Sequence, residues 1–237
     1  MSIMTNSKRI QLWLEMLSLY VFAPIIFTWL LNTNNLSRSE MPIAFFTLFI
    51  FAIVLLTITP DFKWRSLLPT SLQLEWRALS VFLLISSGTM YLLIQLINPE
   101  QLFSFPRRAP EIYLVVMALY PLLSVIPQGI IYRVLFFERY AALFPGIKYS
   151  LPAAAIAFAL AHLFFQNVVA LLLTFFGGLA FAWAHRIRGS FWTGNFLHII
   201  GGWCIWTFGL GRYFYHGRSE EHTSELQSPC NLVCRLL

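Results

Sequence analysis

Charge is what this sequence has least of. Of its 237 residues, 11% are Asp, Glu, Lys or Arg, against about 25% in a soluble domain. That is too little charge to coat a water-facing surface. Cysteine is scarce as well. Of the three cysteines, Cys230 and Cys234 fall in a compositionally distinct tail and Cys204 sits in an apolar run. A disulfide framework upstream of the tail is excluded. The apolar runs lack alternating polar residues, which excludes a transmembrane barrel. There is no basic stripe and no nucleic-acid motif. The net charge of +6 is read as membrane topology and anionic-lipid contact, with no nucleic-acid partner.

What is present is apolar. The chain is 58% hydrophobic and 17% aromatic, with a mean hydropathy of +0.70. A helical span needs roughly 20 mostly apolar residues. Seven stretches approach this: 10–31, 42–60, 78–97, 112–127, 150–166, 168–186 and 191–208. A further helical stretch, 129–140, follows the fourth. The expected fold is all-α, a polytopic transmembrane helical bundle of seven to eight spans, because backbone polar groups in lipid must be satisfied within the segment. Lys8, Arg9, Lys63, Arg65, Arg77, Arg139, Lys148, Arg186 and Arg188 fall at one set of span ends. Arg38, Arg107, Arg108 and Arg212 fall at the other. This asymmetry predicts a cytoplasmic N-terminus. The first span is too long for a cleaved signal, and no small-residue cleavage site follows it.

One integral membrane domain is expected over 1–217, with short connections and no internal repeat. Trp64 and Trp76 suit the membrane interface. Pro60, Pro106 and Pro110 mark span ends or loops. Gly177–Gly178 and Gly201–Gly202 lie within spans, where small residues let helices approach closely. At Arg218 the composition turns polar and unpatterned. The stretch Arg218-Ser-Glu-Glu-His-Thr-Ser-Glu-Leu-Gln-Ser228 reads as the translation of a sequencing-library adapter. Residues 218–237 are therefore set aside as an adapter-derived tail, with Cys230, Cys234 and His222 in it; a genuine disordered tail is the alternative.

Ionisable residues within spans are costly and mark functional positions. Glu15 lies about a turn into its span and reads as structural. His185, Glu138 and Arg139 fall at span ends. Arg133, His162 and His198 remain. A lone buried histidine is more often a satisfied core residue than a ligand. Two mid-span histidines on different helices, joined by an arginine, point to a shared polar site. Two neutral imidazoles could bind a divalent metal such as zinc, or hold and polarise a scissile carbonyl.

These residues resemble the CPBP (CaaX protease and bacteriocin-processing, Abi) family of intramembrane proteases. Its signatures run Glu-Glu-x-x-x-Arg, Phe-x-x-x-His and His-x-x-x-Asn. Here Gln128-Gly129-Ile130-Ile131-Tyr132-Arg133 stands at the first. Phe158-Ala159-Leu160-Ala161-His162 matches the second fully. His198-Ile199-Ile200-Gly201-Gly202 keeps the histidine of the third and lacks its asparagine. The resemblance covers about 113–217. It implies a membrane endopeptidase in which a buried glutamate activates water, the second-motif His orients it, and the third motif stabilises the oxyanion. The arginine would hold the glutamate. Glutamic and metal-dependent chemistry both remain open.

The pattern breaks at its centre. Gln128 cannot usefully accept a proton, and Gly129 takes the glutamate position one turn before Arg133. Gly129 also costs about 1 kcal/mol against alanine in a helix. Sequence error, engineering and natural loss all remain as origins, the first two favoured. Arg133 is expected to turn to water or lipid phosphate. Asn167 and Asn195, near the two histidines in sequence, are the candidates to replace the missing asparagine.

Three functions follow. The first is a membrane endopeptidase by ancestry, impaired by the loss of the motif glutamate at Gly129, acting on membrane-associated proteins or peptides in a bacterial inner membrane. The second is a non-catalytic immunity or scaffold protein that binds peptides or partners. The third is a transporter, disfavoured because no polar pathway or pair of broken helices is evident.

Overall fold

The computed structural model describes residues 5–33, 35–68 and 75–214. The predicted tail, 218–237, lies outside the described residues. Among the described residues every regular element is helical. Seven longer helices form the bundle: α1 Asn6–Asn32, α2 Met41–Thr57, α3 Trp76–Ile97, α4 Pro110–Leu143, α5 Ile147–Leu160, α6 Val168–Arg186 and α7 Phe191–Thr207. Four of them, α1, α3, α4 and α6, are long and apolar enough to cross a membrane. Helices α2 and α5 are apolar but shorter. The 17 residues of α7 reach about 26 Å.

The helix starts follow local chemistry. Thr5 caps α1, Asn167 caps α6 and Ser190 caps α7, each accepting from a backbone N–H three residues on. Proline stands in the first turn of α2 and α4, where its missing N–H costs nothing.

The stretches 112–127 and 129–140, separate by hydropathy, are one helical run of 34 residues. At about 50 Å this run exceeds the thickness of the hydrocarbon layer. Proline does not stop it. Pro121 opens a π-helical turn, Pro121–Val125, and Pro127 lies in the short α-helical piece Ile126–Gly129. The wider turn absorbs the lost hydrogen bond and the ring's clash. A longer π segment, Ile130–Tyr140, follows. Tyr20 of α1 donates its hydroxyl to the Ile131 carbonyl at 2.7 Å, so irregular backbone there finds its partner inside the protein.

Residues 130–137 of α4 are buried without a break. Around them lie Tyr20 and Leu56 from the first two helices and Leu197 from α7. Helices α5 and α6 pack closely because both are small at the contact. A Cβ on Gly178 would come within 3.2 Å of the Ala155 Cα, which bears out the reading of this glycine as a packing residue.

Glu15 is structural, and its role is to join two helices. It pairs with Arg139 of α4, whose Nη2 lies 2.9 Å from Glu15 Oε2. Tyr140 also donates to Glu15, and Arg139 Nη1 reaches Thr59 Oγ1 at 3.1 Å. Glu138 is exposed.

Candidate functional site

A cavity of about 890 Å³ opens within the bundle, bounded mainly by apolar and aromatic side chains. Besides the hydroxyls of Thr47, Ser86, Thr89 and Thr174, its polar lining is concentrated on α4 and the two histidines. Tyr120, Ser124 and Gln128 follow one another at four-residue spacing on α4, and His162 and His198 line the same cavity. None of its described lining residues is Asp, Glu, Lys or Arg. The sequence reading brought the two histidines to one site, and the structure does so too.

His162 is not within a helix span. α5 ends at Leu160, and His162 stands in the turn that follows. The last carbonyls of a helix lack intrahelical partners, and His162 Nδ1 reaches the Phe158 carbonyl at 2.8 Å. A carbonyl accepts, so Nδ1 donates. In the neutral ring this leaves Nε2 as the acceptor. His198 is mid-helix on α7 and 5% exposed. Its ring stacks on Phe181 at 4.7 Å and meets the edge of Phe158 at 5.3 Å. Its Nδ1 is buried without a partner among the described residues.

Arg133 is 2% exposed and finds a partner within the protein. Its Nη2 donates to the side-chain oxygen of Asn195 on α7, and its guanidinium lies 5.8 Å from the Phe181 ring centroid. Asn195 thus partners the arginine. Asn167 is the α6 cap and donates to the Phe165 and Tyr213 carbonyls at 3.1 and 2.7 Å. Its side chain is spent on joining loops.

Gln128 and Gly129 face different ways. Gln128 lines the cavity and donates to Ser124 Oγ at 2.8 Å, and its Oε1 is buried without a described partner. A Cβ on Gly129 would collide with the Arg133 guanidinium and the Asn195 side-chain oxygen. Gly129 does share a face with Arg133, but that face looks towards α7 and away from the cavity wall. Of the two motif positions, 128 is therefore the one that reaches the cavity.

The donor set does not suit zinc. His162 and His198 are two imidazoles, and the described residues hold no group of three or more His, Cys, Asp or Glu that could take a metal. Catalytic zinc sites use three protein ligands. His185 is half-buried near Phe137 and Phe191, outside the cavity lining.

The Tyr120–Ser124–Gln128 stripe was missed as a unit in the sequence. Its trace was there: three hydrogen-bonding residues at i, i+4 and i+8 in a run that is otherwise almost wholly apolar.

The family model described as Type II CAAX prenyl endopeptidase Rce1-like matches residues 110–204. No curated protein and no solved structure matches the chain. The matched segment contains Gln128, Gly129, Arg133, His162 and His198, with the cavity's polar wall. The family that this chain matches through that segment is thus the CAAX protease (CPBP) family.

Proposed function

We propose that this protein is an intramembrane endopeptidase by ancestry, which takes the C-terminal segment of a membrane-associated polypeptide into its cavity but has little or no hydrolytic activity as written. The matched family acts on CAAX prenyl substrates by its name, and an apolar cavity with one polar wall suits a lipid-bearing peptide end. The setting would be a bacterial inner membrane, with the N-terminus in the cytoplasm.

The carrying observation is that the described cavity lining holds two histidines and no carboxylate. Hydrolysis of an amide needs a group that takes a proton from water. Gln128 stands where such a group would face His162 and His198, and an amide is no base. The chain's other groups would still serve binding. His162, tethered at Nδ1, presents one acceptor nitrogen. Stacking on Phe181 fixes the His198 ring. Arg133 and Asn195 tie α4 to α7 behind the wall. The same observation favours a second reading, a non-catalytic immunity or scaffold protein that holds a peptide without cutting it.

The test is to restore acid at both motif positions. Glu at 128 would be nearly isosteric and would accept from Ser124. Glu at 129 would displace the flexible end of Arg133 and could pair with it. The chain as written should leave a prenylated CAAX peptide intact in proteoliposomes. The Gln128→Glu/Gly129→Glu double variant should cleave it, while Gly129→Glu alone should not. Loss of cleavage on adding His162→Ala would tie the activity to the cavity. Robust cleavage by the unaltered chain, abolished by His162→Ala, would overturn the reading.

A further inference from the structure

The third motif lacks a side chain at 202, and the structure has filled that place from another helix. A Cβ on Gly202 would collide with Cε1, Cζ and the hydroxyl oxygen of Tyr120. Gly202 lies one helical turn beyond His198 on α7, so the Tyr120 phenol occupies the ground that a side chain at 202 would cover. Its ring meets His198 edge-on at 6.0 Å, and it lines the cavity with Gln128 and His162. Tyrosine hydroxyls removed from water usually find a partner. Among the described residues the hydroxyls of Tyr120 and Tyr132, both in the cavity lining, make no hydrogen bond, while Tyr20, Tyr113 and Tyr140 each have one; of the two, Tyr120 is the one against Gly202 and His198.

We propose that Tyr120 is a substrate-binding residue whose hydroxyl donates a hydrogen bond to a peptide carbonyl held in the cavity. The inference rests on the peptide-binding part of the function proposed above, and it does not need hydrolysis. Geometry supports a donor at this place. Of the neighbouring donors, Gln128 has committed one of the two N–H groups on its Nε2 to Ser124, and His162 has committed its Nδ1 N–H to Phe158. Neither of those committed N–H groups is left for a ligand. The phenol is a donor not committed in this way, and its ring cannot withdraw without leaving a void beside Gly202.

Tyr120→Phe keeps the ring and deletes the donor. The probe is a prenylated tetrapeptide in which a ¹³C-labelled ketone replaces the scissile amide, bound to the full chain in lipid nanodiscs. Donation to the ketone should lower its carbonyl stretching frequency on binding. In Tyr120→Phe the frequency should move back towards its non-hydrogen-bonded value, and affinity should fall about 2- to 10-fold, the worth of one hydrogen bond. The thermal midpoint should stay unchanged, which separates this role from space-filling. Equal affinity and an equal carbonyl frequency in the two proteins would overturn the assignment and leave the proposed function standing. Failure of the probe to bind either protein would overturn the peptide-binding reading, and this inference with it.

Discussion

At the residue scale, the glycines report what each neighbour needs. Gly202 has no room for even a methyl group because Tyr120 lies against it. Gly201, one residue earlier, meets nothing closer than 3.6 Å. Gly202→Ala should therefore cost about 1–3 kcal/mol through overpacking, while Gly201→Ala should be nearly neutral. Thermal unfolding of the detergent-solubilised protein measures both. The double variant Tyr120→Ala/Gly202→Ala should recover part of the overpacking loss, because residues in contact are energetically coupled. Additive losses would mean that the two side chains do not meet. Gly129 differs from Gly202 because its obstacles are the polar ends of the Arg133 and Asn195 side chains, bonded to each other, and not an aromatic ring. Adjacent positions in one motif thus have different tolerances, and that difference is invisible in the order of letters. On a helix, neighbouring residues point about 100° apart, and which of the two meets the cavity depends on the helices packed around them. The sequence made both positions suspect. It could not say that 128 is the one on the cavity wall.

At the element scale, hydropathy found the apolar runs and misjudged their punctuation. Pro127 stood at the end of the 112–127 stretch, yet α4 runs on through it, after the π turn that Pro121 opens. Window averages contain no term for a hydrogen-bond ladder shifted by one residue. His162 was placed within a span for a related reason. Its flanks are apolar, but the helix ends at Leu160 and the histidine serves the released Phe158 carbonyl. The pairing of Glu15 with Arg139 was equally hidden, since 124 positions separate the partners. That cluster holds α1 to α4, and its side chains are only 20% and 12% exposed. Glu15→Ala should destabilise the protein by about 1.5–3 kcal/mol, the usual worth of hydrogen bonds to a charged group. Glu15→Leu combined with Arg139→Met should cost less than Glu15→Ala alone, because no unpaired charge is left behind. Chemical denaturation in a mild detergent ranks the three proteins. An unchanged midpoint in Glu15→Ala would show that the pair does not carry the α1–α4 contact.

At the scale of the whole molecule, cross-helix contacts sort the connections into two ends. Thr59 bonds Arg139, Trp192 donates to the Leu67 carbonyl at 2.9 Å, and Arg188 pairs with Glu75 at 2.6 Å. Those contacts gather the α2–α3 connection, the end of α4 and the α6–α7 connection. At the other end Gln166 donates to Asn32, and Asn167 donates to the Tyr213 carbonyl. The first end is the one rich in Lys and Arg, which is the feature that places a loop in the cytoplasm. The proposed orientation can be tested without knowing any substrate. In a cysteine-free background, single cysteines replacing Lys63 and Lys148 should be shielded from a membrane-impermeant maleimide added to intact cells. A cysteine replacing Arg107 should react. All three side chains are exposed, so burial within the protein will not mimic shielding by the membrane. Permeabilising the cells should make all three react, which controls for folding. Labelling of Lys63 and Lys148 positions in intact cells, with protection at Arg107, would invert the topology and move the N-terminus outside. Reaction at all three in intact cells would mean that the two clusters do not lie on opposite sides of a membrane.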